Sequence, residues 1–441
     1  MDRAIEILEL IQPHVASAET FAVTAESVNV SYRAGKLRSS EVQETSGISI
    51  RAIKDGKLGF YSTTDLTDKD KLLESTLNSA QFGGEATFEF ARAAQGAVFE
   101  GYSTETARLD IQELAEFSKE LAAKIEDHTN RDEVTVEVDF SRVTYDQQLA
   151  NTNGVNQKDR RTALSGSVSV QQIRGDDVFS TYNAHSAVSL EDAFQKLTEK
   201  VMEQMALAQK AVKLSITDGE LPVVFSPAGS ILLFYPFMLG LSGKNAHLGI
   251  SPLSGRIGEQ IIDPRITFRD DPIVENRPGS AGVDDEGVPT QPLIFFDKGV
   301  LTGYFHNLKT AGEAKTVSTG HGKRGLLGQP GASFHNPMIQ GGDVSFKELI
   351  KDIKEGLLVE SLLGLGQTNI LAGAFSNPVN VAFKIENGEV VGRVKDVSIA
   401  GNTYELLKNN LGGLSREVEL VYGSLRLPYI RLDGVSTVTS N

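Results

Sequence analysis

The sequence predicts an α+β fold: an N-terminal antiparallel sheet packed with helices, then a strongly curved, barrel-like C-terminal β domain. Three observations carry the prediction. Period-two runs rich in Val and Ile recur between Phe21 and Val188, the pattern of half-buried strands. Segments with helical spacing flank those runs. Beyond Gly219 the chain is dense in glycine and short strand-like runs, with few helical patterns, which points to a closed or curved sheet decorated with loops. The composition divides the chain into units 1–84, 104–215 and 219–441.

The opening MDRAIEILELIQPHV reads as an amphipathic helix with Ile5, Leu8, Leu10 and Ile11 inward. Phe21 to Tyr32 alternates as a strand. A polar stretch, RAGKLRSSEVQETSG, leads to a second strand over Ile48–Ile53, and Asp55-Gly56 supplies the left-handed residues of a tight hairpin into a third, Lys57–Ser62. Thr67 and Asp68 are candidate caps for a helix that buries Leu72, Leu73, Leu77 and Ala80. Gly84 to Ser103 has no clean period and crosses between units.

The second unit opens with helical spacing at Ile111, Leu114, Phe117, Leu121 and Ile125. Three alternating runs follow, Val134–Tyr145, Thr162–Ile173 and Val178–Val188, and the helix Leu190–Val212 closes the unit. The hairpins at Ser46–Ser62 and Ser165–Ser180 share pattern and turn placement, which reads either as an internal duplication or, the favoured reading, as the convergence of two hairpins of one type. In the third unit the expected strands are Pro222–Ser226, Pro292–Phe296, Val300–Asn307, Asn380–Glu386, Glu389–Val391, Val394–Ile399 and Arg416–Gly423. Val344–Glu355 and Asn402–Asn410 read as helices.

The chain has 441 residues, a formal net charge of -15, seven histidines and no cysteine or tryptophan. Without cysteine there is no disulfide, thiolate nucleophile or sulfur-ligated zinc, which fits a reducing compartment. The acidic balance argues against direct nucleic-acid or anionic-membrane contact, because that binding runs on Lys and Arg. The most apolar stretch, Gly229–Leu241, is 13 residues, short of the ~20 a membrane-spanning helix needs. The first helix lacks the basic and apolar regions of a signal peptide. The expectation is a soluble, cytoplasmic protein.

Three groups of residues carry candidate chemistry. Asp284-Asp285-Glu286 reads either as an acidic metal or acid–base cluster, or as turn caps and partners for Arg265, Arg269 and Arg277; the alternation of a calcium loop is missing. His247, His306, His321 and His335 stand at no metal-motif spacing. Ser318-Thr319-Gly320-His321-Gly322-Lys323-Arg324 is a glycine-rich loop with hydroxyls and two cations, suited to a phosphate or carboxylate, yet it lacks P-loop order. No serine sits in a GxSxG elbow.

Five strings taken together resemble the TldD/PmbA family, some members of which are known as modulators of DNA gyrase: ISIRAIKDGKLGFYSTTDL, SPLSGRIGEQIIDPRITFRDDP, GVDDEGVPTQPLIFFDKGVLTGYFHNLKTA, STGHGKRG and IENGEVVGRVKDVSIAGN. They run in order along nearly the whole chain. The resemblance implies two branches. TldD-like members carry an HExxxH zinc motif on a helix, completed by a C-terminal cysteine, and the TldE/PmbA branch is the partner subunit of a heterodimeric metalloprotease.

The matching helix in this chain is Ile231–Leu239. Phe234, Tyr235 and Leu239 occupy the motif's three positions, and Val421-Tyr422-Gly423 occupies the place of the cysteine. The resemblance therefore implies a TldE/PmbA-like subunit without catalytic or metal-binding residues of its own, paired with a zinc-bearing TldD-like paralogue or with itself, and acting on a peptide. Candidate cleft or ligand-loop residues are Ser254, Asp284, Asp285, Glu286, Ser318, His321, Lys323 and Arg324. Alternatives are a stand-alone homodimer binding a peptide or anion, a protein-mediated modulator of DNA gyrase, and a hydrolase built on Asp284, Asp285, Glu286 and His321.

Overall fold

β1 (Ser17–Arg33), β2 (Lys36–Lys54) and β3 (Lys57–Thr63) form one antiparallel meander, and β4 (Val134–Asn151), β5 (Asn156–Arg174) and β6 (Asp177–Ala187) form another. β1 pairs with β4 from Glu19 opposite Asn151 to Arg33 opposite Glu137, which joins both meanders into one sheet of order β3-β2-β1-β4-β5-β6. The sheet curls into a half-barrel. The computed structural model describes residues 2–130, 132–216, 218–366 and 369–439, with 23% helix and 42% strand.

Each meander is preceded and followed by a helix: Arg3–Ile11 and Lys69–Gln81 for the first, Ile111–Glu126 and Leu197–Ala208 for the second. The two hairpins with matching sequence pattern, β2–β3 and β5–β6, thus hold equivalent places at opposite edges of one sheet. At the β2–β3 turn Asp55 and Gly56 have φ of 50° and 75°, the left-handed pair that a two-residue hairpin requires. Asp68 caps the helix Lys69–Gln81, accepting from the Lys71 N–H at 2.9 Å. Asp110 and Glu113 form a reciprocal capping box at the start of Ile111–Glu126.

Some boundaries differ from expectation. The polar stretch Lys36–Thr45 is strand, paired with the outer half of β1; both its faces are largely exposed, so no apolar alternation marks it. On the first helix Ala4, Ile7, Leu8 and Ile11 are buried, while Ile5 and Leu10 lie at the margin. The run Leu190–Val212 splits into Asp192–Gln195 and Leu197–Ala208.

In the C-terminal region five strands close into a barrel: Asp218–Phe225, Leu425–Thr439, Val397–Asn402, Ala374–Glu386 and Glu355–Leu362. Leu425–Thr439 closes the ring and was not anticipated, because Pro428 and Gly434 interrupt its alternation. The expected helix Val344–Glu355 is only Phe346–Ile350, since Glu355 already begins a barrel strand. The expected strand Val300–Asn307 stops at Leu301, and Asn307 instead caps the helix Leu308–Glu313. The main C-terminal core gathers Val223, Phe225, Phe234, Phe237, Phe268, Phe296, Leu357 and Leu432; a second core sits between the half-barrel and the helices Ile111–Glu126 and Leu197–Ala208.

Candidate functional site

Three places bear on function: the helix Ile231–Gly240, a buried charged junction, and a cavity at the β6 edge. The helix is apolar all round, and Leu232, Leu233, Phe234 and Phe237 are buried on it. Phe234 is 0% exposed and packs its ring 6.1 Å from Phe237 and 6.0 Å from Phe268. Tyr235 is exposed and Leu239 half-buried. The donor chemistry of this helix does not fit zinc, which takes imidazole, carboxylate or thiolate ligands. Among the described residues no group of three His, Cys, Asp or Glu is arranged to hold a metal ion. The Tyr422 hydroxyl donates to Ala228 O at 3.3 Å, so the 421–423 turn does approach the start of that helix.

The junction is where the sequence-predicted acids and cations meet. Arg51, from the interior of β2, makes a two-pronged pair with Glu19 of β1 (Nε–Oε1 2.9 Å, Nη2–Oε2 2.8 Å) and a third bond to Glu286 Oε1 at 2.6 Å. Arg324 Nη2 reaches Glu19 Oε1 at 2.8 Å. All four side chains are at most 3% exposed, so two guanidiniums and two carboxylates neutralise one another across the boundary between half-barrel and C-terminal region. Burial opposes ionisation of Glu19, but Arg51 and Arg324 overcome it and hold its carboxyl below the usual carboxylate range. Phe88 and Phe90 lie 5.4 and 5.2 Å from the Arg51 guanidinium, and Phe21 lies 4.6 Å from that of Arg324.

The same loops are tied by backbone bonds. Asp284 accepts from the N–H groups of Glu286 (3.0 Å), Val288 (2.9 Å) and Gly322 (2.7 Å). Its burial, together with the neighbouring Glu286, pushes its carboxyl up to about 8. Asp285 accepts from the Arg324 N–H at 2.9 Å. A Cβ on Gly322 would stand 2.7 Å from Glu286 and 2.9 Å from Asp284, so this position admits no side chain.

Next to it, Asp270 accepts from the backbone of His335 (2.7 Å) and Asn336 (2.6 Å) and faces His321 Nε2 at 3.2 Å. Burial works against its charge, but the contacts with His321 and His335 together outweigh it, so Asp270 stays below the usual range. His335 Nε2 donates to Gly320 O at 2.8 Å, and burial lowers this histidine to about 4. Burial also lowers the Lys323 ammonium, which donates to Gly279 O at 3.1 Å.

The structure therefore brings Asp284, Asp285, Glu286, His321, Lys323 and Arg324 together in one largely buried knot, at whose margin Asp284 and Asp285 also line a cavity of about 430 Å³ with Gln147 and Arg161. Ser318 belongs to the approach to that knot, donating to His306 O at 3.2 Å. Ser254 sits in a separate turn, its N–H donating to Ser251 O at 3.0 Å. Sequence reading missed Glu19 and Arg51. The signal available was a charged residue inside each otherwise buried strand core, a placement that requires a partner.

The cavity, about 380 Å³, opens where the β6 edge, the helix Leu197–Ala208 and strands of the C-terminal region meet; Lys200, Glu360, Glu419, Tyr182 and Tyr422 are among its walls. An adjoining cavity of about 530 Å³ shares Tyr182 and Tyr422 and continues along the polar face of the half-barrel.

A curled six-stranded half-barrel joined to a five-stranded closed barrel defines an α+β class, and comparison with known proteins places the chain within it. Models of the PmbA/TldA metallopeptidases match most of the chain: domain 1 over residues 18–80, the central domain over 105–217 and the C-terminal domain over 218–439. The chain belongs to the PmbA/TldD metallopeptidase family. A metalloprotease of Methanothermobacter thermautotrophicus is 25% identical, aligning over 95% of this chain and 92% of its own length. The metalloprotease TldD homolog of Haemophilus influenzae is 26% identical over 90% and 87%. In three dimensions TldE from Thermococcus kodakarensis superposes with a TM-score of 0.87 at 23% identity, covering 99% of this chain and 100% of that one. A Thermotoga maritima protein, described in connection with modulation of a DNA gyrase, superposes at 0.86 with 22% identity over 98% and 99%. Among the described residues no helix is long and apolar enough to cross a membrane.

Proposed function

We propose that this chain is the non-catalytic subunit of a zinc metallopeptidase pair. It docks on a paralogue that carries the HExxxH helix and helps enclose a cleft for an extended peptide. The observation that carries the proposal is the side-chain set on Ile231–Gly240: Phe234, Tyr235 and Leu239, which the family resemblance aligns with the motif, include no imidazole, carboxylate or thiolate, and Phe234 is fully buried in an aromatic cluster. A position committed to the core in this way is unsuited to a metal ligand. Membership of a metallopeptidase family supports the proteolytic setting. β3 and β6 end the six-stranded sheet, and a sheet edge is the element that captures an extended peptide by strand addition.

The net charge of -15 argues against direct DNA contact. An influence on gyrase, of the kind after which the Thermotoga protein is named, would on this reading pass through protein contacts. The test is peptidase activity on an unstructured peptide, measured for this chain, for the HExxxH paralogue and for the two mixed. Activity of the paralogue, enhanced or made possible by this chain and lost when the motif glutamate is replaced by Gln, is expected. Peptidase activity of this chain alone, resistant to chromatographic removal, would overturn the proposal.

A further inference from the structure

Three carboxylates, Glu137, Glu360 and Glu419, and two cations, Arg33 and Lys200, line the cavity at the β6 edge. Glu360, from the barrel strand Glu355–Leu362, is 7% exposed, and among the described residues its Oε2 has no hydrogen-bond partner. The nearest cation, Lys200 Nζ, is 3.7 Å from that oxygen and donates instead to Glu419 Oε2 at 3.0 Å. The Tyr429 hydroxyl occupies the other Glu419 oxygen at 3.1 Å. One ammonium thus serves two carboxylates, and the buried Glu360 Oε2 is left with an ion pair at 3.7 Å and no hydrogen bond among the described residues. Tyr182 and Tyr422, each 55% exposed, stand in the wall of the same cavity. Carboxylates beside open aromatic faces are the combination that recognises organic cations, the rings through their negative faces and the acids through charge-assisted hydrogen bonds.

We propose that this cavity binds a ligand carrying an ammonium group, anchored by Glu360 and Glu419 and flanked by Tyr182 and Tyr422. The same chemistry is offered by a free small amine and by the amine of a peptide. The site belongs to this chain alone, so it stands whether or not the chain pairs with a zinc-bearing paralogue. A failed peptidase assay leaves it intact, and absent amine binding leaves the subunit reading intact.

The experiment is calorimetric titration of the full-length chain with three probes: 1,5-diaminopentane, an N-acetylated tetrapeptide with one lysine, and the same peptide with that lysine Nε-acetylated. Saturable binding of the diamine, the lysine peptide or both is expected, with the probe that binds identifying the source of the amine. The acetylated peptide should bind at least about 10-fold more weakly than the lysine peptide, the scale of one charge-assisted hydrogen bond. Glu360→Gln keeps the shape and removes the charge, and should weaken binding about 10-fold or more. Glu419→Gln, at a site 38% exposed, gives a second reading should Glu360→Gln fail to fold, and should also weaken binding. No saturable binding of either amine would overturn the proposal. So would affinity unchanged in the folded variants, or an acetylated peptide that binds as well as its parent.

Discussion

Replacing Arg51 by Met isolates the energetics of the junction. The substitution fills most of the volume but removes the guanidinium shared by Glu19 and Glu286. Glu19 keeps Arg324 at 2.8 Å, whereas Glu286 keeps, among the described residues, the Leu308 N–H at 2.7 Å and no cation, and becomes an uncompensated buried charge. Breaking a buried pair by deleting one partner costs about 3–5 kcal/mol, because the remaining ion pays its desolvation without return. At ~2–4 °C per kcal/mol for domains of this size, the affected transition should fall by roughly 6–20 °C. Adding Glu286→Gln removes the stranded charge and leaves the Glu19–Arg324 pair intact, so the double variant should regain more than half of the loss.

Urea unfolding followed by circular dichroism measures both variants, with calorimetry to detect whether the half-barrel and the barrel begin to melt separately once their shared ion network is cut. A loss below about 1 kcal/mol for Arg51→Met would refute the reasoning, since solvent-exposed pairs are worth that little. So would a double variant less stable than the single one.

Other perturbations test neighbouring parts of the account. His335 is held neutral by burial, down to about 4, whereas an unfolded histidine titrates near 6.5. The unfolded chain therefore binds the extra proton between those values. The advantage of wild type over His335→Gln should be full above pH 6.5 and decline by roughly 3 kcal/mol as pH falls to 4, as read by urea unfolding across pH. A pH-independent difference would contradict it. Gly322→Ala places a methyl group 2.7 Å from Glu286 and should cost about 1–3 kcal/mol of unfolding free energy; an unchanged denaturation midpoint would argue that the junction is loose. Asp110→Ala removes one half of the capping box and should cost about 1 kcal/mol, visible as faster hydrogen exchange in the first turn of Ile111–Glu126.

How much of this was legible in the sequence depends on where each residue sits. The strands of the half-barrel declared themselves wherever one face is buried, as in Val134, Val136, Val138 and Phe140. The outer part of β2, wet on both faces, did not. The repeated helix–three strands–helix order was audible only in one pair of hairpins, because β1 and β4 share pairing geometry rather than sequence. Asp284, Asp285, Glu286, His321, Lys323 and Arg324 were picked out as chemistry-bearing, and they do converge. Their convergence onto Glu19 and Arg51, more than 200 residues away, rests on strand pairing and domain packing that no local motif encodes. The cavity at the β6 edge was illegible for the same reason: Lys200, Glu360 and Glu419 come from a helix, a barrel strand and the strand Leu411–Val421.

The central claim is that this chain contributes surface and its paralogue contributes the metal. Native mass spectrometry of the co-expressed pair, purified without chelator, tests it most directly. The account predicts a one-to-one heterodimer with a single zinc that remains with the paralogue on dissociation, and a metal-free form of this chain. One tightly held zinc per copy of this chain, isolated by itself, would contradict it.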